Sequence, residues 1–415
     1  MKGFTRLKTE VIDCNLCTRC GTCIGVCPVH TLTYRDREIL DAQNRCIQCG
    51  MCTAVCPGKE FRMDEWSETL FKKPYPADKL LGNYKSIWNA CSRRDEIRYR
   101  GASGGVVTQM LIDLLEENII EGAVAVRKKG DSPFAFEPFI AVDKEQVIAA
   151  AQSKYMIIPV NEVIRDLKQC EMKVAYVGLP CQIQGMRKAM EQNEWLKEKV
   201  VVLISLFCGF NMEKEATDYL IVQSGIPKEK IEELQYRHKK GSNTGLYIKD
   251  KKGKEFFISK HGYTFLNLVF SPERCWKCFD YSGEFADISV GDAWEKGQGF
   301  SRVIIRTERG ERLWETIRKQ GMIDAEQTDE NIIFKTQNKV VSYKKKQIAI
   351  RKSCMRHFPD YGVTFAQCHG KMLIKGMVLY SILTFFKGPI GKRLICVLPF
   401  KILIKISNTI KSREV

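Results

Sequence analysis

Two near-identical four-cysteine runs occupy the amino-terminal end of this chain, and few folds can accommodate them. CTRCGTCIGVCP at 17–28 is matched by CIQCGMCTAVCP at 46–57, an offset of 29 residues, and each run closes on a proline. With Cys14, nine of the 18 cysteines fall before residue 57, interleaved with Gly and Pro and leaving little apolar material for a core. A segment this small needs an inorganic staple. The spacing Cys-x2-Cys-x2-Cys-x3-Cys-Pro wraps a loop around a four-iron, four-sulfur cube and sends its last cysteine to a neighbouring cube. Crossed in that way, Cys17, Cys20, Cys23 and Cys56 hold one 4Fe-4S cluster, and Cys46, Cys49, Cys52 and Cys27 hold the other, with Cys14 left over. Zinc sites also use Cys-x2-Cys pairs, but they usually separate two pairs by a long spacer and stop at four ligands. Residues 1–65 therefore read as a two-cluster ferredoxin-like domain, similar to bacterial two-cluster ferredoxins.

The remaining sequence is that of a globular protein of two or three domains: 415 residues, 44% hydrophobic and 28% charged. The opening stretch MKGFTRLKTEVIDCNLCTRC holds no apolar run of signal-peptide length, which predicts a reducing, cytoplasmic setting in which thiols serve as ligands. Pro74, Pro76 and Gly82 mark a linker over 66–85. Beyond it, Val106, Val107, Met110, Leu111, Leu114 and Leu115 recur at helical spacing within 103–118, with Ser103 placed as an N-cap. Strands are predicted over Gly122 to Arg127, Val174 to Gly178 and Val200 to Phe207, with a helix over Gln182 to Asn193. The fold class is α/β (mixed α+β), with a flavin module in two parts, 86–165 and 166–335, and a basic tail over 336–415.

Cys181 and Cys208 each follow a predicted strand, in VAYVGLPC and VVLISLFC, and one helix fits between them. Such a βαβ unit makes the strands parallel and puts both thiols on the carboxyl edge of the sheet, where open α/β sheets place ligands. Cys275 and Cys278, in RCWKCF, could clip two further corners of a third 4Fe-4S cluster. The alternatives are buried core thiols and a pair that binds zinc or nothing. Cys91, Cys170, Cys354, Cys368 and Cys396 show no ligand spacing and default to structural thiols.

RGASGGVVTQ at 100–109 sets small residues directly before a helix, where backbone N–H groups and the helix dipole can approach a phosphate, with Arg100 adding a charge. The same pattern also serves as a plain N-cap with close packing. Lys154 and Tyr155, in QSKYM, are a second candidate phosphate or ring contact, against the reading of a surface lysine. Clusters pass electrons singly while most organic substrates take pairs, so a chain wired with iron and sulfur usually needs a flavin as converter.

SGGVVTQML, SKYM, VGLPCQIQG, CWKCFDYSGEFADISVGDAW and SRVIIRT, in this order over roughly 10–310, resemble the coenzyme F420 hydrogenase/dehydrogenase beta-subunit family. The resemblance implies an FAD-binding α/β module that passes electrons between a deazaflavin (coenzyme F420) or ferredoxin and a second partner. Carried over by position, Ser103, Gly104, Gly105 and Lys154 would hold FAD, Cys181, Cys208, Cys275 and Cys278 the adjacent cluster, and Asp287 and Asp292 would line the same edge. For the two aspartates the alternative is a capped turn after a strand. The GDAW ending is similar to a bacterial branch associated with surface-polysaccharide gene clusters and departs from the hydrogenase subunits, which leaves deazaflavin use open. No further residue set names a substrate; Arg237, His238, Lys239 and Lys240 could meet an anionic one or form a solvated face.

The formal charge is +17, and the last 45 residues carry nine Lys or Arg against Glu414 alone. Three loaded clusters of about −2 each would still leave about +11, which favours acidic partners such as ferredoxins. The tail's apolar pieces, Met377 to Phe386 and Leu394 to Phe400, are shorter than the roughly 20 residues that span a bilayer. They suit a chain lying on anionic lipid, or a helical hairpin packed on the main domain. No motif for reading nucleic acid is present. Two functions remain in view: an iron-sulfur flavoprotein oxidoreductase, and a relay subunit that wires a separate enzyme to its carrier.

Overall fold

The computed structural model describes residues 2–397 except 77–78, 242, 265, 295–298 and 366–369. Cys368 and the end of the second apolar tail piece lie outside the described residues. In the N-terminal module the sequence repeat becomes a backbone repeat. Arg19 and Gln48 both take left-handed conformations at φ 56°, and Gly21 and Gly50 follow at φ 89° and 82°, each opening a one-turn helix, Thr22–Gly25 and Met51–Ala54. The surroundings of the two copies differ. A Cβ on Gly21 would lie 2.4 Å from the Pro159 carbonyl, whereas one on Gly50 meets nothing within 4 Å. The first copy is thus pressed against the rest of the protein and the second faces outward. Between the two copies stands the hairpin β1 (Leu32–Arg35) and β2 (Glu38–Asp41).

The seam around the first copy is polar and hydrogen-bonded. Asn161 donates its backbone N–H to Cys20 O at 2.9 Å and its side-chain amide to Thr22 Oγ1 at 2.7 Å. Arg19 meets Glu213 at 2.5 Å, and Arg165 reaches the carbonyls of Ile24 and Leu32.

Strands β3 (Ser86–Ser92), β4 (Gly122–Lys128), β5 (Phe136–Ala141), β6 (Val174–Gly178) and β7 (Val200–Leu206) join β11 (Ile288–Asp292), β12 (Ser301–Ile305) and β13 (Ile323–Thr328) in one sheet. Its order is β13-β3-β12-β11-β7-β6-β4-β5. The middle four, β4, β6, β7 and β11, run parallel; the outer strands add on antiparallel. Alternation along the strands explains the two covered faces. Ala123, Ala175 and Ile204 point to a core shared with Met110, Leu111 and Trp314, while Val124, Tyr176 and Leu203 point to one shared with Ile183, Met186 and Ala189. A separate antiparallel sheet of β8 (Ile231–Lys240), β9 (Asn243–Asp250) and β10 (Glu255–Ser259) packs with the helix Lys214–Ser224 over its own core.

The βαβ unit forms as the pattern predicts, with its helix beginning earlier, at Pro180, so that Cys181 sits in the first turn. Pro is suited to that first position because its missing N–H has no helical partner there. Three boundaries differ from expectation. Residues 66–71 belong to the helix Met63–Phe71, held by Met63 N–H on the Tyr361 carbonyl, so the linker begins only after it. The sheet runs across the 165/166 division, since β4 pairs with β6. The helix Asn331–Val341 crosses the 335/336 division and belongs to the main body, its Ile333 and Val341 fully buried.

Candidate metal centres and cofactor cavity

Every described cysteine is a free thiol, and most gather into three sets. Burial, then the nearby Cys56, pushes Cys17 up to about 12; burial, then Cys20, pushes Cys56 up to about 11. Cys23 is raised well above its usual range by burial, with Cys17, Cys20 and Cys56 adding to the effect. These four are mutual neighbours. Cys52 is pushed up to about 12 by burial and by Cys46 and Cys49, and all three share a small cavity with Cys27. Several thiols confined together resist ionisation, and multivalent iron removes that conflict. Among the described residues no group of three or more His, Cys, Asp or Glu stands out as a single-ion site. The donor chemistry suits a larger iron-sulfur body.

The third set assembles from distant positions. Cys181 leaves β6, Cys208 leaves β7, and Cys275 and Cys278 come from the short helix Glu273–Trp276 and the residues after it. Burial raises Cys181 well above its usual range, followed by Cys208, Cys20, Cys278 and Cys275. Cys208 is pushed up to about 12 by burial, opposed by Lys344 and reinforced by Cys275 and Cys278. The presence of Cys20 beside Cys181 ties this set to the first: a Cβ on Gly185, one turn along the same helix, would stand 3.3 Å from Cys20 Sγ.

Two buried cations border this set. Arg274 donates to Tyr361 Oη at 2.9 Å and to the carbonyls of Gly58 and Pro57, next to Cys56. Lys344 donates to the Cys275 carbonyl at 3.2 Å and opposes the effect of burial on Cys208 and Cys275. A positive charge here favours the more reduced, more negative state of anything the thiols hold. Lys344→Gln should therefore lower the midpoint potential of one centre by on the order of 50 mV, read by EPR-monitored titration, and leave the others in place. Equal potentials in the two proteins would place Lys344 outside that electrostatic shell.

Beside the third set lies a cavity of about 800 Å³ floored by the carboxyl edge of the sheet, and Cys208 belongs to both. At one end stands the loop before the helix Val106–Glu116. Its N-cap is Gly105, at φ 71°, in place of Ser103, and no side chain caps it. Ser103 instead shares a 2.8 Å hydrogen bond with Ser301. A Cβ on Gly104 would lie 2.7 Å from the Ala90 carbonyl, so the turn closes only with glycine. The uncapped first turn leaves N–H groups available to an anion at the cavity wall.

Against the loop, Arg237 grips Asp292 with both branches, at 3.0 and 3.1 Å, and also reaches Ala102 O at 2.8 Å and Tyr155 Oη at 3.2 Å. Lys260 lies 3.5 Å from the same carboxylate and 4.6 Å from the centre of the Trp294 ring. Burial alone would raise Asp292; Arg237 and Lys260 outweigh it and hold the carboxyl below its usual range. Two cations on one carboxylate leave the wall positive. Gln337 completes it, donating to the Asp292 carbonyl at 2.6 Å.

Set against the sequence candidates, Ser103, Gly105, Lys154 and Asp292 line the cavity, and Gly104 packs just behind. The Lys154 ammonium is directed away from a phosphate role: it donates to the carbonyls of Ala150, Ala151 and Gln152, and burial, then Lys128, lowers it to about 7. Arg100 pairs with Glu96 on the surface, its side chain 55% exposed. Asp287 is a buried framework residue, bonded to Arg187, Thr307 and the Leu203 N–H. The Arg237–Lys240 run divides: Arg237 is buried in the wall and Lys239 holds the Ser103 carbonyl at 2.9 Å, while Lys240 is exposed. Sequence reasoning passed over Lys260, Trp294, Gln337 and Lys344. Trp294 stood within a motif already singled out, GDAW, as did Arg274 within RCWKCF; Lys260, Gln337 and Lys344 carried no local signal.

Comparison with known proteins agrees with this architecture. Sequence models of the coenzyme F420 hydrogenase/dehydrogenase beta subunit match residues 87–165 (N-terminal part) and 171–331 (C-terminal part), and a 4Fe-4S dicluster domain matches 9–57. The chain is 29% identical over 336 residues to the coenzyme F420-dependent sulfite reductase of Methanocaldococcus jannaschii, 77% of this chain but about half (49%) of that longer protein. It is 30% identical over 257 residues to the coenzyme F420 hydrogenase subunit beta of Methanothermobacter thermautotrophicus, covering 60% of this chain and 87% of that one. In fold it is similar to a chain of the F420-reducing [NiFe] hydrogenase complex from Methanosarcina barkeri, with TM-score 0.54 and 23% identity over 69% of this chain and 98% of that one.

Proposed function

The chain belongs to the coenzyme F420 hydrogenase/dehydrogenase beta-subunit family with an N-terminal 4Fe-4S dicluster domain, and from that premise we propose that it is an iron-sulfur flavoprotein oxidoreductase passing electrons between a low-potential carrier and a second acceptor. In this proposal Cys17, Cys20, Cys23 and Cys56 hold one 4Fe-4S cluster, Cys27, Cys46, Cys49 and Cys52 a second, and Cys181, Cys208, Cys275 and Cys278 a third. FAD occupies the cavity, where its chemistry is to join one-electron and two-electron transfer. The observation that carries the reading is contiguity. Cys20 neighbours Cys181, and Cys208 belongs to the third thiol set and the cavity wall alike.

Each wall then has a task. The Ser103–Gly105 turn and the first turn of the helix Val106–Glu116 bind phosphate through backbone N–H groups. Arg237 is kept in one orientation by Asp292, Tyr155 and Ala102, and with Lys260 it balances negative charge. Tyr155 feels both cations, which pull its hydroxyl down against the effect of burial and make it a ready hydrogen-bond donor to whatever lies in the cavity. Phe207, Tyr263 and Trp294 add aromatic surface to the same walls.

The carrier is reduced coenzyme F420 or a ferredoxin, F420 being the one printed in the names of the relatives. Anaerobically loaded protein should release FAD on denaturation and turn over with one of these donors and an artificial acceptor. Arg237→Ala should weaken FAD retention by about tenfold or more, because it leaves Asp292 with Lys260 alone. Protein that carries clusters but no flavin would end the flavoprotein reading. The relatives named as subunits favour a second reading, a relay that wires a separate enzyme to its carrier, and bound FAD with no turnover until a partner is added would select it.

A further inference from the structure

We propose that the C-terminal helical hairpin, Gly370–Lys387 with Pro389–Val397, seats the protein on an anionic lipid surface, to which it presents an apolar outer face bordered by basic side chains. The inner side of the hairpin is docked on the main body. Tyr380 meets the Trp276 ring at 6.2 Å, Phe386 packs against the core of the three-stranded sheet, and Ile395 is buried in that core. Gly376 permits the close approach: a Cβ there would lie 2.0 Å from the Ile350 side chain.

The outer side is where a docked helix should turn polar. Here it does not. Ile374, Met377, Val378, Ile382 and Phe385 recur at three- and four-residue steps along one helix face and are 61, 53, 55, 39 and 50% exposed. Ile390 and Leu394, one turn apart on the second helix, are 72% and 43% exposed. Of the 13 large apolar side chains exposed among the described residues, these seven lie on the hairpin and the other six are scattered. A contiguous apolar patch of this kind marks a surface that something covers.

Charge identifies the cover. No Asp or Glu occurs between Asp360 and Glu414, whereas the last 45 residues hold nine Lys or Arg, with Lys371 and Arg393 exposed beside the apolar strip. A face at once apolar and cationic without a single carboxylate matches phospholipid: the apolar side chains enter the acyl boundary while the lysine and arginine heads stay with the phosphates. A protein partner would need an acidic rim on all sides of an apolar centre. No helix among the described residues is long and apolar enough to cross a membrane, so the hairpin rests along the surface.

The test floats the full-length, cluster-loaded protein with vesicles of phosphatidylcholine alone or mixed with phosphatidylglycerol. Flotation is expected with the anionic vesicles and should fade as salt is raised. The double variant V378S/F385S, changed only at exposed positions, should partition about tenfold less, and K371E/R393E should do the same at low salt. Unchanged iron content and circular dichroism show that the variants fold. Lack of flotation by the parent protein, or flotation that the variants leave intact, would overturn the proposal. So would a parent that sediments as a dimer and becomes monomeric in V378S/F385S, since a second copy would then be the cover.

Discussion

Cys208→Ser should bring the iron content of anaerobically loaded protein down from about twelve atoms per chain to about eight and leave the N-terminal module intact. Cys208 is the residue at which the third thiol set and the cavity meet, so its loss separates them. Donor-to-acceptor turnover should fall by about 100-fold or more, because the centre that stands between the module and the cavity is lost. Cys181→Ser should behave alike. Cys170→Ser is the control, since that thiol only donates to the Leu167 carbonyl at 3.8 Å. Iron and sulfide analysis with EPR of the reduced protein reads the outcome directly. Parent protein that loads only about eight iron atoms, or a Cys208→Ser protein that keeps all of its iron, would remove the third centre and with it the connection to the cavity.

The second large effect concerns the loop that carries Cys278 into the sheet. Lys345 and Glu284 form an ion pair with side chains 3% and 1% exposed, and Tyr75 donates to Glu284 at 2.7 Å. Asp280, in the same group, is pushed up to about 6 by burial and by the Glu284 charge. Its carboxylate caps the turn by accepting the Gly283 N–H at 2.8 Å. Glu284→Ala would strip the buried Lys345 of its hydrogen-bonded carboxylate, leaving it to the Asp280 charge, and would take from the Tyr75 hydroxyl its acceptor. The expected cost is about 3–5 kcal/mol, seen as a fall in Tm of roughly 5 °C. Glu284→Ala paired with Lys345→Met should recover much of that loss, because it removes the buried charge along with its partner. A melting curve that Glu284→Ala leaves in place would mean that water reaches the pair.

Legibility followed the range of the interactions. The two N-terminal thiol sets were readable because their spacing is local and repeated, and the left-handed Arg19, Gly21, Gln48 and Gly50 reproduce that repeat in the backbone. The βαβ unit was readable from Val174–Gly178 and Val200–Leu206, since a buried parallel strand is apolar on both faces. Because parallel strands share a carboxyl edge, Cys181 and Cys208 could be expected side by side. The cavity's far wall was not readable. Arg237, Lys260, Trp294 and Gln337 reach it from a second sheet, a connecting helix, a loop and a helix beyond the last strand. No periodicity links such positions. A lysine or arginine in a charged run looks the same in sequence whether it is solvated or buried, so Arg237 stood with both readings open and Lys344 carried no signal. Local geometry also misled: Ser103 has the right chemistry for an N-cap, but Ser301 from β12 takes its hydroxyl, and Gly105 opens the helix.

The outward turn of the second cysteine run has a practical consequence. Cys49 is exposed, while Cys20 and Cys23 are sealed beneath Pro159 and Asn161. Oxidation of sulfur follows access to solvent, so peroxide or dissolved oxygen attacks first at that rim. Chemical ageing therefore starts at the periphery, and the buried Cys20 and Cys23 are the last to be spoiled.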